Sequence, residues 1–223
     1  MKTAHQQRLL IDGPAGKLEI VIDDPGTEIE AATSPAARAR RGLALIAHPH
    51  PLFGGTLDNK VVQTLAKTFL AQGYVAVRMN FRGVGATGGV HDEGIGETED
   101  WLVVAGEMRA RYGPLPLLLA GFSFGAYVQS RVAGRLREHA APVARLVLVA
   151  PAVGRFQLAP VAQDTLVIHG EDDDVVPLPE LLAWARPQRL PVVVLPGAGH
   201  FFHGNLVELQ RIIQRSCSCP GVQ

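Results

Sequence analysis

From residue 43 onward the chain repeats one pattern, a short apolar run followed by a helix-length stretch. The runs are Leu43–Ala47, Tyr74–Met79, Leu115–Ala120, Leu146–Ala150, Thr165–Ile168 and Val192–Leu195. Each is four to six residues long and rich in Val, Leu, Ile and Ala. A strand that is apolar on both sides of its pleat suits a parallel sheet covered by helices on both faces. Helical stretches are expected at 57–72, 95–111, 124–139, 178–186 and 204–215, with Gly73 stopping the first. The alternation predicts an α/β class fold, a mostly parallel central sheet flanked by helices. Ahead of it, Arg8–Ile11, a Gly13-Pro14-Ala15-Gly16 turn and Lys17–Ile22 predict an antiparallel hairpin. Residues 23 to 42, rich in Asp, Ala, Pro and Arg, read as a long loop.

With 223 residues, 47% of them hydrophobic, the chain suits one domain over 1–216 with a tail at 217–223. Lys plus Arg and Asp plus Glu are both 21, so net charge gives no pull toward nucleic acid or an anionic membrane. The basic run Arg38, Arg40, Arg41 is short and reads as a solvated linker. The first ten residues hold no signal-peptide block, and no apolar run reaches the roughly 18 residues of a membrane helix. A cytoplasmic location is therefore expected, with neither nucleic acid nor membrane as partner. The two cysteines, Cys217 and Cys219, are one residue apart, poorly placed for a disulfide and too few for a zinc site.

In sheets of this class reactive groups gather where the strands end. After Leu115–Ala120 comes Gly121-Phe122-Ser123-Phe124-Gly125, a G-x-S-x-G sequence. That pattern belongs to a strand turning sharply into a helix, with the serine strained and exposed at the bend. Ser123 is the candidate nucleophile. A serine hydroxyl needs a base, and the base needs an acid that fixes its tautomer. Two later loops supply both, in the order Ser, Asp, His. One reads His169-Gly170-Glu171-Asp172-Asp173-Asp174, and the spacing alone does not choose among its acids. The other reads Gly197-Ala198-Gly199-His200-Phe201-Phe202-His203, and favours His200 over His203.

Acyl transfer also needs donors for a developing oxyanion. The backbone N–H of Phe124, next after the nucleophile, is one candidate. The loop after Leu43–Ala47 reads His48-Pro49-His50-Pro51-Leu52-Phe53, and its two prolines have no N–H to give. His50 is the preferred second donor there, and Leu52 the next. His48 and His50, with no acid in their loop, do not make a convincing metal site. No metal or cofactor is expected. Phe53, Phe122 and Phe201 are expected to bind substrate, within a wider set that includes Phe124, Phe156 and Phe202.

The segments HPHPLFGGTLDNKVV, NFRGVGATGG, GFSFGAYV, HGEDDDVVP and GAGHFFHG, spread over residues 48 to 204, resemble small bacterial α/β-hydrolases related to dienelactone hydrolases and serine esterases. The resemblance implies the α/β-hydrolase fold and a serine triad. It places the acid on Asp173, leaving Asp172 and Asp174 as alternatives. Dienelactone hydrolases proper use Cys as nucleophile, so Ser123 sets this chain apart from them. Arg82 stands in a run that is often Asp-x-Arg-Gly in relatives, and is expected to hold neighbouring loops together. Between Ala150 and Thr165 lie about 14 residues, too few for a helical cap. The expected activity is hydrolysis of a small-molecule ester or thioester through an acyl-enzyme, by a monomer or homodimer. A peptidase on the same triad and a non-catalytic binding protein are the alternatives.

Overall fold

A computed structural model describes residues 5–26, 40–141 and 143–217. Strands β1 (His5–Gly13) and β2 (Gly16–Asp24) form the antiparallel hairpin. Six further strands follow: β3 (Gly42–Ala47), β4 (Tyr74–Met79), β5 (Leu117–Phe122), β6 (Arg145–Val149), β7 (Leu166–Gly170) and β8 (Val192–Leu195). They join one eight-stranded sheet in the order β1-β2-β4-β3-β5-β6-β7-β8. β2 pairs antiparallel with β4, and every pair from β4 to β8 is parallel. The sheet is flanked by α1 (Lys60–Ala71), α2 (Ile95–Tyr112), α3 (Phe124–Glu138), α4 (Leu178–Ala185) and α5 (Leu206–Cys217).

The two faces of the strands build two cores. Leu43, Leu45, Leu117 and Leu119 point to the side of Trp101 and Val104 on α2 and Val128 and Val132 on α3. Ala44, Ile46, Leu118 and Ala120 point the other way, onto Val62, Leu65 and Phe69 of α1 and Leu209 and Ile213 of α5. This is why β3, β4 and β5 are buried at every position and carry no polar alternation. Full burial of each Leu, Ile or Phe there contributes about 1.5–3 kcal/mol.

Local signals set the helix ends. The Asn59 side chain accepts from the Val61 N–H at 2.9 Å and caps α1, a bond of about 1 kcal/mol. The helix therefore starts three residues later than the apolar pattern suggests. Gly73, with φ of 86°, turns the chain out of α1 into β4. β5 lies two residues beyond the expected run: Pro116 has no N–H, and pairing continues to Phe122 opposite Val149.

Two boundaries are corrected. Cys217 is not the start of a tail but the buried last residue of α5. The segment read as a loop over 23–42 begins and ends inside strands, at Asp24 and Gly42. Its middle, with Arg38, and Cys219 in the tail lie outside the described residues. The connection from β6 to β7 carries no helix, so no cap covers the carboxyl edge of the sheet there. Among the described residues no helix is long and apolar enough to cross a membrane.

Candidate active site

Strand β5 ends at Phe122 and α3 begins at Phe124, leaving Ser123 alone at the bend with φ 56° and ψ −117°. That conformation costs a side-chain-bearing residue about 1–3 kcal/mol. Its surroundings hold it there. The Ser123 N–H donates to the Val149 carbonyl at 2.9 Å, and its own carbonyl accepts from Ala126 at 3.0 Å. A Cβ at position 121 would collide with the backbone of Gly125, and one at position 125 with the backbone of Ala47 and His48. The two glycines let strand, helix and the neighbouring β3 loop close around the serine.

His200 follows β8, and its Nε2 lies 3.1 Å from the Ser123 Oγ. Its Nδ1 lies 2.8 Å from Asp173 Oδ2, in the loop between β7 and α4. The other Asp173 oxygen accepts from the N–H groups of Val175 at 3.0 Å and Val176 at 2.7 Å. Burial works against a charge on Asp173, but the hydrogen bonds from His200 and the Val176 N–H outweigh it and hold the carboxyl below the usual range. An ionised acceptor fixes the proton of His200 on Nδ1 and leaves Nε2 to take one from the hydroxyl. All three residues are buried or nearly so. Asp172, Asp174 and His203 are exposed and take no part in this chain of bonds.

The backbone N–H groups of Phe124 and His50 make no hydrogen bond among the described residues. Leu52 is different. Its N–H points to Nδ1 of His50 at 3.3 Å, inside a single 3-10 turn over Pro51–Phe53, so it is a poor oxyanion donor. The turn also takes the Phe53 N–H, which donates to the His50 carbonyl at 3.2 Å. His50 is the member of that loop whose N–H is left over.

Ser123, His200 and Phe124 belong to the wall of a cavity of about 360 Å³, within the range of small-ligand sites. Phe53, Phe156 and Phe201 line it too, together with Val175, Val176, Asn59 and Arg155. Phe122 does not. It is fully buried, facing the α1 and α5 side with Leu118 and Ala120, and backs the His200 ring at 5.1 Å between centroids. Its expected contact with substrate is withdrawn: alternation along β5 turns it into the core. Phe202 is likewise core.

Supporting residues fix these loops. His48 is fully buried, its Nδ1 donating to the Pro49 carbonyl at 2.6 Å and its Nε2 accepting from the Phe81 N–H at 2.9 Å. Both ring nitrogens are spent, and burial pushes its pKa down to about 3. Arg82 clamps the fully buried Asp100 of α2 through two bonds, 2.6 and 3.0 Å, as expected of a loop-holding residue. His169, also buried, donates to the Val176 carbonyl at 2.8 Å, tying β7 to the loop that presents Asp173. Among the described residues no cluster of three or more His, Cys, Asp or Glu is placed to hold a metal ion.

Sequence reasoning passed over Arg155, Asn59, Val175 and Val176 in the cavity wall, and the bracing by His169. His169 carried a signal, standing immediately before the acidic loop. Arg155 carried none, since its loop shows no periodicity and no motif.

Comparison with known proteins places this geometry in a family. The family model described as serine aminopeptidase, S33, matches residues 53–164, which include Ser123 but stop short of Asp173 and His200. An α/β serine hydrolase homologue from Coxiella burnetii is 40% identical, with a TM-score of 0.82 over 95% of this chain and 97% of its own. XC6422 from Xanthomonas campestris, described as an α/β serine hydrolase without lid, is 34% identical, with a TM-score of 0.86 over 98% and 97%. An uncharacterized protein of Rickettsia prowazekii, RP471, is 28% identical over 87% of this chain and 86% of its own. On these matches, the chain belongs to the α/β-hydrolase superfamily as one of its small bacterial serine hydrolases.

Proposed function

We propose that this protein hydrolyses a carboxylic ester or thioester of a small molecule through an acyl-enzyme. The observation that carries the reading is the unbroken set of short contacts from Asp173 through His200 to the Ser123 hydroxyl at the wall of an uncapped, largely apolar cavity. In this reading Ser123 Oγ attacks the carbonyl carbon as its proton passes to His200 Nε2. The carbonyl oxygen becomes an oxyanion held by the N–H groups of Phe124 and His50. Collapse expels the alkoxide or thiolate, which takes the proton from His200. Water then repeats the sequence on the acyl group and frees the acid and Ser123.

The test is a fluorophosphonate probe followed by peptide mapping. Time-dependent loss of activity with the label on Ser123 is expected. A folded protein that turns over esters while Ser123 stays unlabelled would overturn the assignment.

A second reading, an aminopeptidase, is favoured by the description of the family model. An aminopeptidase holds the substrate ammonium, and the described cavity wall offers it no carboxylate. Parallel rates on p-nitrophenyl butyrate and alanine p-nitroanilide separate the two. The ester is expected to be the better substrate by at least a hundredfold in kcat/KM.

A further inference from the structure

The cavity beside Ser123 is walled by aromatic and aliphatic side chains and contains a single Arg, Lys, Asp or Glu, which is Arg155. Arg155 follows β6, in the short connection that stands where a cap would be inserted. Its guanidinium lies 5.0 Å from the centre of the Phe53 ring, on the opposite loop of the same cavity. Among the described residues it makes no ion pair. The acids around this corner do not pair with it: Glu180 sets its carboxylate beside Gly154, the preceding residue, without an ion pair to Arg155, and two others are turned elsewhere. Glu97 is buried and accepts from His91 and from the N–H groups of Asp92 and Gly94, and Glu93 turns to His91 at 3.5 Å.

An unpaired cation on a low-dielectric wall focuses its field into the cleft, and a planar guanidinium matches carboxylate and phosphate oxygens. A ring beneath it holds it in place without neutralising it. We propose that Arg155 is a specificity residue, and that the substrate carries an anionic group, a carboxylate or a phosphate, in addition to the bond that is cleaved. The inference names a substrate class for the ester hydrolysis proposed above and rests on that reading. Arg155 is exposed, so replacing it leaves the core intact.

Two measurements test it. In the first, kcat/KM is compared for p-nitrophenyl valerate, for the p-nitrophenyl half-ester of glutarate, and for the matching phosphonate-ended ester. Wild type is expected to favour an anionic ester, and Arg155→Gln to lower the ratio of kcat/KM for the anionic ester over the valerate ester about tenfold. Arg155→Lys is expected to restore part of the preference. The carboxylate and phosphonate arms tell the two sources of charge apart. The second measurement needs no turnover: glutarate and inorganic phosphate are titrated into Ser123→Ala by calorimetry, with and without Arg155→Gln. At least fivefold weaker anion binding without the guanidinium is expected. If Arg155→Gln alters neither the ester preference nor the anion titration, the inference is overturned. If no ester is turned over but anion binding still depends on Arg155, the hydrolase reading fails and the anion site stands.

Discussion

Two cavities of the same size, about 360 Å³ each, lie at different places on this sheet. One is the site at the carboxyl edge. The other lies beside the hairpin and is lined by Arg8, Asp23, Asp58, Lys67 and Arg78. The hairpin cavity holds far more charge, yet all of it except Lys67 closes on itself. Arg78 pairs with Asp23 at 3.0 Å and Asp58 at 3.4 Å, and Arg8 pairs with Glu19 and Asp58. To bind a ligand, such groups must first give up a partner. At the carboxyl edge the bonds run in series, from Asp173 to His200 to Ser123, and end on a hydroxyl at the cavity wall. Volume does not distinguish the two places. What distinguishes them is whether the polar groups are mutually satisfied or aligned with one end left open.

The largest expected effect breaks the series at its open end. Ser123→Ala should lower kcat/KM toward p-nitrophenyl esters by about 10⁴-fold or more, roughly 5.5 kcal/mol of transition-state stabilisation. A variant retaining a tenth of wild-type activity would put the cavity beside the hairpin on an equal footing with this one. Next comes Asp173→Asn. Its remaining oxygen can still accept from Val175 and Val176, but the amide no longer holds the His200 tautomer. Activity should fall about 10³- to 10⁴-fold with little change in urea midpoint. Because Asp173 is held ionised, its protonation does not enter the activity profile near neutral pH.

The parts of this site that can be read in the sequence are those fixed by the backbone path. Ser123 stands directly after the buried strand β5 and His200 in the loop that follows β8, both at the carboxyl edge of the sheet, so these loops are bound to meet there. The prolines at 49 and 51 remove two N–H groups from the loop after β3 for purely covalent reasons. What stays hidden depends on which way a side chain turns once the chain has bent. Asp172, Asp173 and Asp174 are chemically alike; spacing does not choose among them, the resemblance points to Asp173, and in the structure that residue alone is buried and bonded to His200. Leu52 and His50 differ only through the 3-10 turn that directs the N–H of Leu52 onto a ring nitrogen. Phe122 and Phe156, both expected at the cavity, part company because one lies on the core face of β5 and the other on the cavity loop. The sheet order escapes as well. The hairpin adds to the sheet beside β4, not beside the sequence-adjacent β3, through antiparallel pairing of Ile20–Asp23 with Ala76–Met79.

The hairpin cavity yields an effect of the opposite kind, large in stability and small in activity. Arg78 is an arginine inside an otherwise apolar strand, its side chain 6% exposed, bonded to Asp23 and to the Leu57 carbonyl. Arg78→Met should cost about 2–3 kcal/mol in urea unfolding, mostly because Asp23 loses its cation. The rate on p-nitrophenyl esters should stay within twofold. The double variant Arg78→Met, Asp23→Leu should recover much of that stability, since a buried pair removed whole is often nearly neutral. A tenfold loss of rate in the single variant would show the two cavities to be coupled, and the contrast between them would fall.

The smallest effect concerns the buried start of the β3 loop, where His48 is satisfied without charge. Its folded pKa of about 3 lies below the unfolded value of about 6.5. Below pH 6.5 the unfolded chain takes up a proton that the folded chain refuses, so stability is lost as pH falls toward 3. At pH 5 the loss from this residue is about 2 kcal/mol. His48→Asn can keep the bond to the Pro49 carbonyl but strands the Phe81 N–H, at a cost of about 1–2 kcal/mol at pH 7. The variant no longer has the refused proton. Its drop in unfolding free energy between pH 7 and pH 5 should therefore be about 2 kcal/mol smaller than that of wild type. Equal drops would mean that the imidazole is free to charge in the folded protein, and that the β3 loop, with the His50 N–H it presents, is held by something other than this buried ring.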